Sequence, residues 1–286
     1  MKRIPILLSV CLMLAAQAFC QDTVKLEYKY TPNELLRYKM VISANLQLAV
    51  PNGQAMTIPM RMVGLVKQRT KRVLPDGSAE LAVAFESMRA QVGDQIHEMP
   101  AKQVPVMTIV VSKSGQIQKA SCPGMDSAGL MTQQMLNTGG FGHYAVLPTT
   151  DLRVGDTWSQ DIPEMPGIGS VRETGKLIST NSKVGKYKTA AFRQSVGGNL
   201  NLDSGSALPL RGSPPIPPGM KMNGAFLGDG TVYFSVERGQ LIRTDGRLDL
   251  QVNVNVPQIN GRQVGNATAN MAMTYEMFLI SADKAK

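Results

Sequence analysis

Hydrophobic and polar residues alternate along most of this chain. Tyr38, Met40, Ile42, Ala44, Leu46, Leu48 and Val50 keep a two-residue period, and Pro51-Asn52-Gly53 then turns the chain. Met56, Ile58, Met60, Met62, Gly64 and Val66 resume the same period, and Ala79, Leu81, Val83 and Phe85 repeat it after Pro75-Asp76-Gly77. Leu26, Tyr28 and Tyr30 alternate with charged residues ahead of Thr31-Pro32-Asn33 and read as a further strand. Side chains on a strand point to opposite faces in turn, so this pattern means one buried and one wet face, the mark of an antiparallel sheet.

The pattern continues past the middle of the chain. Strands are expected near 171–180, 187–202, 230–237, 240–256 and 267–280. Val154-Gly155-Asp156 reads as a turn feeding Trp158, with Asp156 capping that turn. Residues 208–219, LPLRGSPPIPPG, hold five prolines and cannot form a central strand, because Pro removes a ladder donor. Residues 122–140 break the period. Pro123, the candidate caps Asp126 and Ser127, and the Gly139-Gly140 stop predict one short helix near 126–137.

The two β stretches resemble each other. Residues 106–119, VMTIVVSKSGQIQK, and 230–243, GTVYFSVERGQLIR, are both strands running into a polar turn closed by Gly-Gln. Residues 65–87 and 176–198 each read strand, short turn, strand. The expected fold is therefore mainly β: long antiparallel curved sheet in two similar halves with one short helix between them. The N-terminal half is placed at 21–146 and the C-terminal half at 147–286. Gly115 and Gly239 are assigned backbone roles in their turns, and neither Gln116 nor Gln240 has a partner readable from sequence.

Residues 1–20 change the compartment rather than the fold. Lys2 and Arg3, an apolar run from Ile4 to Ala16, and small-x-small triplets ending at Ala18 and Cys20 form a secretory signal peptide. The apolar run is shorter than the roughly 20 residues of a spanning helix, and no later run replaces it. The mature chain is thus expected in the periplasm or outside the cell, without a transmembrane segment. Cys20 is a candidate lipid-anchor position, but Gln17 and Phe19 depart from the aliphatic and small residues that such a cleavage box needs. Three cysteines form neither a disulfide framework nor a zinc pattern. Cys122 reads as a small apolar filler.

The net charge of +9 is scattered, with Lys67, Arg69, Lys71 and Arg72 the one tight group. That group reads as a solvated strand face. Export argues against nucleic acid as a partner. Catalytic signatures are missing: there are two histidines, His97 and His143, and no HExxH, CxxC, GxSxG or phosphate loop. Asp94, Glu98, Asp151, Asp156 and Asp161 are carboxylates that spacing does not pair. No cofactor or metal is implied, and the chain reads as non-enzymatic; a hydrolase-type enzyme with His143 as general base is the third reading, behind a ligand binder and a structural module.

Methionine is the positive signal. Eighteen are present, two of them in the signal peptide. Met56, Met60 and Met62 share one strand face; Met271, Met273 and Met277 share another; Met125, Met131 and Met135 fall on the expected helix. Met is flexible and polarizable and accepts varied apolar partners. It also serves as filler in a core poor in Phe and Trp, and that reading stands beside the first. No MxxM cluster supports copper. The functional expectation is an apolar or amphiphilic ligand against Met60, Met62, Met131, Met271 and Met273. An alternative is a structural module that holds an envelope protein partner through sheet edges and the proline loop.

The segments YKYTPNELLRYK, VLPDGSAELAVAFES and LPTTDLRVGDTW resemble a group of exported bacterial β-rich proteins that carry PDGSA and VGDTW motifs. Asn33 stands where that group usually has Gly. The resemblance implies export and a β fold, and it implies no activity. In architecture, the expected sheet curled round a helix is similar to periplasmic lipoprotein and lipid carriers of the LolA and LppX kind, by analogy of fold alone.

Overall fold

A computed structural model describes residues 23–49, 55–100, 106–121, 145–162, 168–203, 221–256 and 265–284. The expected helix at 126–137, the proline segment 208–219, the expected signal peptide at 1–20 and all three cysteines lie outside these residues.

The described residues form one antiparallel sheet of twelve strands. In chain order these are β1 (Glu34–Ala49), β2 (Met56–Val73), β3 (Ala79–Val92), β4 (Gln95–Pro100), β5 (Met107–Val111), β6 (Ile117–Ser121), β7 (Thr157–Ile162), β8 (Ile168–Val184), β9 (Tyr187–Asp203), β10 (Lys221–Ser235), β11 (Gln240–Val256) and β12 (Gly265–Lys284). Across the sheet the order is β6-β5-β3-β2-β1-β12-β11-β10-β9-β8-β7, with β4 paired to the far part of β3. Nearly every neighbour in the sheet is also a neighbour in sequence. The exception that joins the halves is β1 against β12, in register from Glu34 opposite Lys284 to Ala49 opposite Thr268. The two sequence-similar segments take matching places: 65–87 spans β2, its turn and β3, and 176–198 spans β8, its turn and β9.

The sheet is strongly curved at one end. Ile109 on β5 and Phe192 on β9 belong to a single buried cluster. They lie seven strand positions apart in the sheet order, roughly 34 Å if the sheet were flat. The sheet curls on itself: adjacent residues Tyr28 and Lys29 bond Lys113 in the β5–β6 turn and Gly239 in the β10–β11 turn. Leu81, Val111, Leu177, Phe234 and Met277 fill the same core. Burying each such large side chain stabilises by about 1.5–3 kcal/mol.

Residues 23–30 occupy the space inside the curl. The sequence pattern predicts a strand here, but the segment makes one isolated bridge, Val24 with Leu152, and otherwise joins no ladder. Its alternation is real: Leu26 and Tyr28 are buried while Lys25 and Lys29 are exposed. One side meets the core and the other meets solvent, and the chain is bound by scattered contacts instead of a partner strand. Tyr28 N–H donates to Lys113 O at 2.8 Å, and Lys29 N–H donates to Gly239 O at 3.0 Å. The two Gly-Gln turns therefore both grip this segment. Gly115 has φ 84° and Gly239 φ 61°, a backbone region that side chains with a Cβ rarely adopt. Asn33, at φ 63°, uses the tolerance of Asn for the same region.

Asp156 caps its own turn, as its position suggests, with Oδ2 accepting from Arg153 N–H at 2.7 Å. Two strand boundaries differ from the pattern. β10 begins at Lys221 rather than near 230, because Gly224, Gly228 and Gly230 blank the alternation that would reveal it. β3 runs on to Val92 and pairs with the short β4, where Gln95, His97 and Glu98 are exposed and carry little apolar period.

Candidate functional site

Directly paired residues of an antiparallel sheet project to the same face. The register then assembles one apolar surface from strands far apart in sequence. Met60 on β2 lies opposite Ala44 on β1, Ala44 lies opposite Met273 on β12, and Met273 lies opposite Leu248 on β11. The adjoining row reads Ile58, Leu46, Met271, Leu250 and Phe226 on β10. Met62 leads a third row with Ile42 and Tyr275. Four of the five methionines expected at a site, Met60, Met62, Met271 and Met273, thus share one surface. Met131 lies outside the described residues.

These side chains are half-buried, as are Leu46, Leu48, Leu248 and Leu250. Met62 packs against the core, as a partly buried side chain at its margin. Met40 and Met277, farther along the same face, are fully inside the core at 3% and 1% exposure. The methionine face is therefore the open continuation of the core. One end of each long strand is packed inside the curl, and the other end carries the same apolar face outward.

A polar row marks the boundary. Glu173 on β8 sits at an inward position of its strand, between Val171 and Gly175, and is 3% exposed. Its Oε1 accepts from Gln194 Nε2 at 2.5 Å. Burial raises its pKa to about 7, against the lowering effect of the Gln194 and Val146 hydrogen bonds. Tyr275 reaches over Gly246 and Gly230, where any Cβ would meet its hydroxyl. Burial raises the Tyr275 pKa as well. The glycines let this ring lie flat along the sheet between the core and the apolar rows. Glu173 is legible only as a charged residue at an inward point of the alternation Val171, Glu173, Gly175, Leu177.

The opposite face is polar. Arg247 Nε donates to Asp229 Oδ1 at 2.8 Å, and Arg243 holds Asp245 and Glu276, each at 3.0 Å. Such exposed pairs contribute about 0–1 kcal/mol each. Lys71 and Arg72, from the basic group, share Glu80 at 3.5 and 2.7 Å on the wet side of β2. Two open depressions of about 470 Å³ lie on this polar side, one beside Asn45, Gln47 and Asn270 and the other beside Arg193, Arg243 and Arg247. The first is also lined by Met271, Leu250 and Phe226 of the apolar rows, and the second by Asp229, Asp245 and Glu276.

His97 is exposed on β4, opposite Ala90. His143 lies outside the described residues. Among the described residues, no three His, Cys, Asp or Glu side chains are grouped to hold a metal. Glu98 reaches Arg89 at 3.9 Å, and Asp161 pairs with Arg172 at 2.8 Å, which lowers the Asp161 pKa. No described helix is long and apolar enough to cross a membrane.

No family model and no curated protein sequence matches the chain. Among solved structures, a study of lipid–protein interactions in lipovitellin matches at 10% identity over 90% of this chain, with a TM-score of 0.47. The match spans 26% of the lipovitellin chain. OccK2 (OpdF) of Pseudomonas aeruginosa matches at 6% identity over 86% of this chain and 98% of that one, with a TM-score of 0.28. OprB of Pseudomonas putida matches at 10% identity over 86% and 94%, with a TM-score of 0.21. At these values the likeness assigns no role to any residue.

Proposed function

We propose that this is an exported, non-enzymatic envelope protein that binds an apolar or amphiphilic ligand against its methionine face. One observation carries the reading: Met60, Met62, Met271 and Met273 lie together, half-buried, on the face that continues the core. Filler methionines would be expected inside the closed packing with Met40 and Met277. These four lie where the packing opens. Covering about 300 Å² of apolar surface there would contribute on the order of 7 kcal/mol before the costs of association. Flexible thioether side chains suit an acyl chain better than a single rigid shape. The polar row of Glu173, Gln194 and Tyr275 limits how far such a chain can enter.

The test is native mass spectrometry of the protein purified from its own envelope, with extraction and analysis of bound lipid. A co-purifying lipid, displaced when Met60 and Met273 are both changed to Asp in a folded variant, supports the reading. A ligand-free protein that also takes up no fatty acid or phospholipid from micelles removes it.

A further inference from the structure

On the polar face, Lys176 of β8 and Arg193 of β9 lie directly opposite each other. Like charges placed this way repel, and the pair weakens the sheet. Other arginines nearby are neutralised: Arg172 by Asp161, Arg243 by Asp245 and Glu276, and Arg247 by Asp229. Among the described residues neither Lys176 nor Arg193 has an ion-pair partner within 4.0 Å. The two cations are therefore a local excess, although the surface around them is rich in acids.

What surrounds them is hydroxyl. Thr157 lies opposite Lys176, and Thr174 lies between Ser159 on β7 and Ser195 on β9. All four hydroxyl residues and both cations line one depression of about 380 Å³. Lys176 and Arg193 are both exposed, so a ligand meets them without rearrangement of the core. Two uncompensated cations framed by four hydroxyl donors, with no carboxylate in the lining, match the needs of a tetrahedral oxyanion. An arginine fork takes two oxygens, a lysine ammonium supplies a compact charge, and hydroxyls complete the shell.

We propose that Lys176 and Arg193, with Thr157, Ser159, Thr174 and Ser195, form a binding site for a phosphate-class oxyanion. The site stands on the opposite face from the methionines and does not depend on their role. A free phosphomonoester and a phospholipid headgroup present the same chemistry, and the source is decided by experiment.

The test uses the full mature chain in two arms. In the first, calorimetric titration with inorganic phosphate is compared with sodium chloride at equal ionic strength. Saturable binding is expected, weakened about tenfold by either Lys176→Gln or Arg193→Gln, the scale of one charge-assisted hydrogen bond, and unchanged by Lys221→Gln. In the second, co-sedimentation with phosphatidylglycerol vesicles is compared with phosphatidylcholine vesicles. Binding in both arms, with phosphate displacing the vesicles, assigns a site open to headgroups. Phosphate binding alone assigns a soluble ligand. Anionic-vesicle binding alone, lost in the double variant, assigns a headgroup. The double variant should also be no less stable than the parent in phosphate-free buffer, since it removes a repulsion. The proposal is overturned if phosphate acts no differently from chloride and vesicle charge has no effect, or if binding in either arm survives in the folded double variant.

Discussion

Met60 and Met273 both lie opposite Ala44, one on each side of it, from strands β2 and β12. Ala44 is buried at 6% exposure, and its single methyl leaves both thioether chains free of a large neighbour between them. More than two hundred residues of chain separate the two methionines. The pairing of the first strand with the last makes them neighbours.

The Gly-Gln turns both bind the segment 23–30 that leads into β1. A Cβ at Gly239 would overlap the Lys29 backbone nitrogen, and one at Gly115 would overlap Ala145 O and the Tyr28 ring. Gly93 and Gly185 also have positive φ, but nothing lies within 4 Å of their missing Cβ atoms. Chemical denaturation should show Gly93→Ala and Gly185→Ala costing about 1 kcal/mol. Gly115→Ala and Gly239→Ala should cost clearly more, about 3 kcal/mol, because backbone atoms must also move.

The two glutamines should behave unlike each other. Gln240 is buried, and its Nε2 donates to Glu34 Oε2 at 2.8 Å, while Arg238 reaches Glu34 Oε1 at 3.4 Å. Gln116 is exposed, and its backbone alone bonds to Ser112 Oγ. Gln240→Leu leaves a buried carboxylate oxygen short of a donor and should cost about 2–3 kcal/mol. Gln116→Leu should stay within about 0.5 kcal/mol of the parent. Thermal melts of the two variants in parallel provide the comparison.

Tyr28 ties the N-terminal segment to Ala145 and, through its ring, to Phe234 on β10. Its hydroxyl donates to Ala145 O at 3.3 Å and accepts from Ala145 N–H at 3.1 Å. Its ring meets Phe234 edge-on at 5.1 Å, and burial raises its pKa well above the usual phenol range. Tyr28→Phe should cost about 1–3 kcal/mol by stranding a buried backbone pair. Tyr28→Ala should cost about 3–5 kcal/mol, the scale for emptying a large aromatic site. Urea midpoints at constant slope separate these outcomes from a change in the unfolded state.

Glu173 gives the fold a pH dependence. Its folded pKa of about 7 lies above the ordinary 4.5, so the native state keeps a proton that the unfolded chain releases. The stabilising effect is full below pH 4.5 and is lost as pH rises through 7. Its size is on the order of 3 kcal/mol. Unfolding measured from pH 4.5 to 8 should show this decline in the parent and a flatter profile in Glu173→Gln. A parent whose stability rises over that range would contradict the assignment.

Much of this was legible in the sequence because an antiparallel meander is a local fold. Period-two runs such as Tyr38 to Leu48 name their buried face, and turn residues such as Gly155-Asp156 end them. The four methionines could be assigned to faces strand by strand for the same reason. Their meeting on one surface depends on β1 pairing with β12, a long-range choice that no local pattern encodes. The start of β10 was hidden by Gly224, Gly228 and Gly230, the last of which makes room for Tyr275. Residues 23–30 carry a strand pattern because both alternating environments exist around them, yet the partner is a curled sheet rather than a ladder. Gln240 found its partner in Glu34, two hundred residues away.

The central claim is that the methionine face is an open apolar surface that takes a ligand. Methyl-labelled methionine spectra, recorded by NMR while a fatty acid or phospholipid is titrated in, test it directly. Met60, Met62, Met271 and Met273 should shift together and saturate, while the core methyls of Met40 and Met277 stay nearly still. Spectra unchanged at all four positions, or shifts spread evenly over core and face alike, would contradict it.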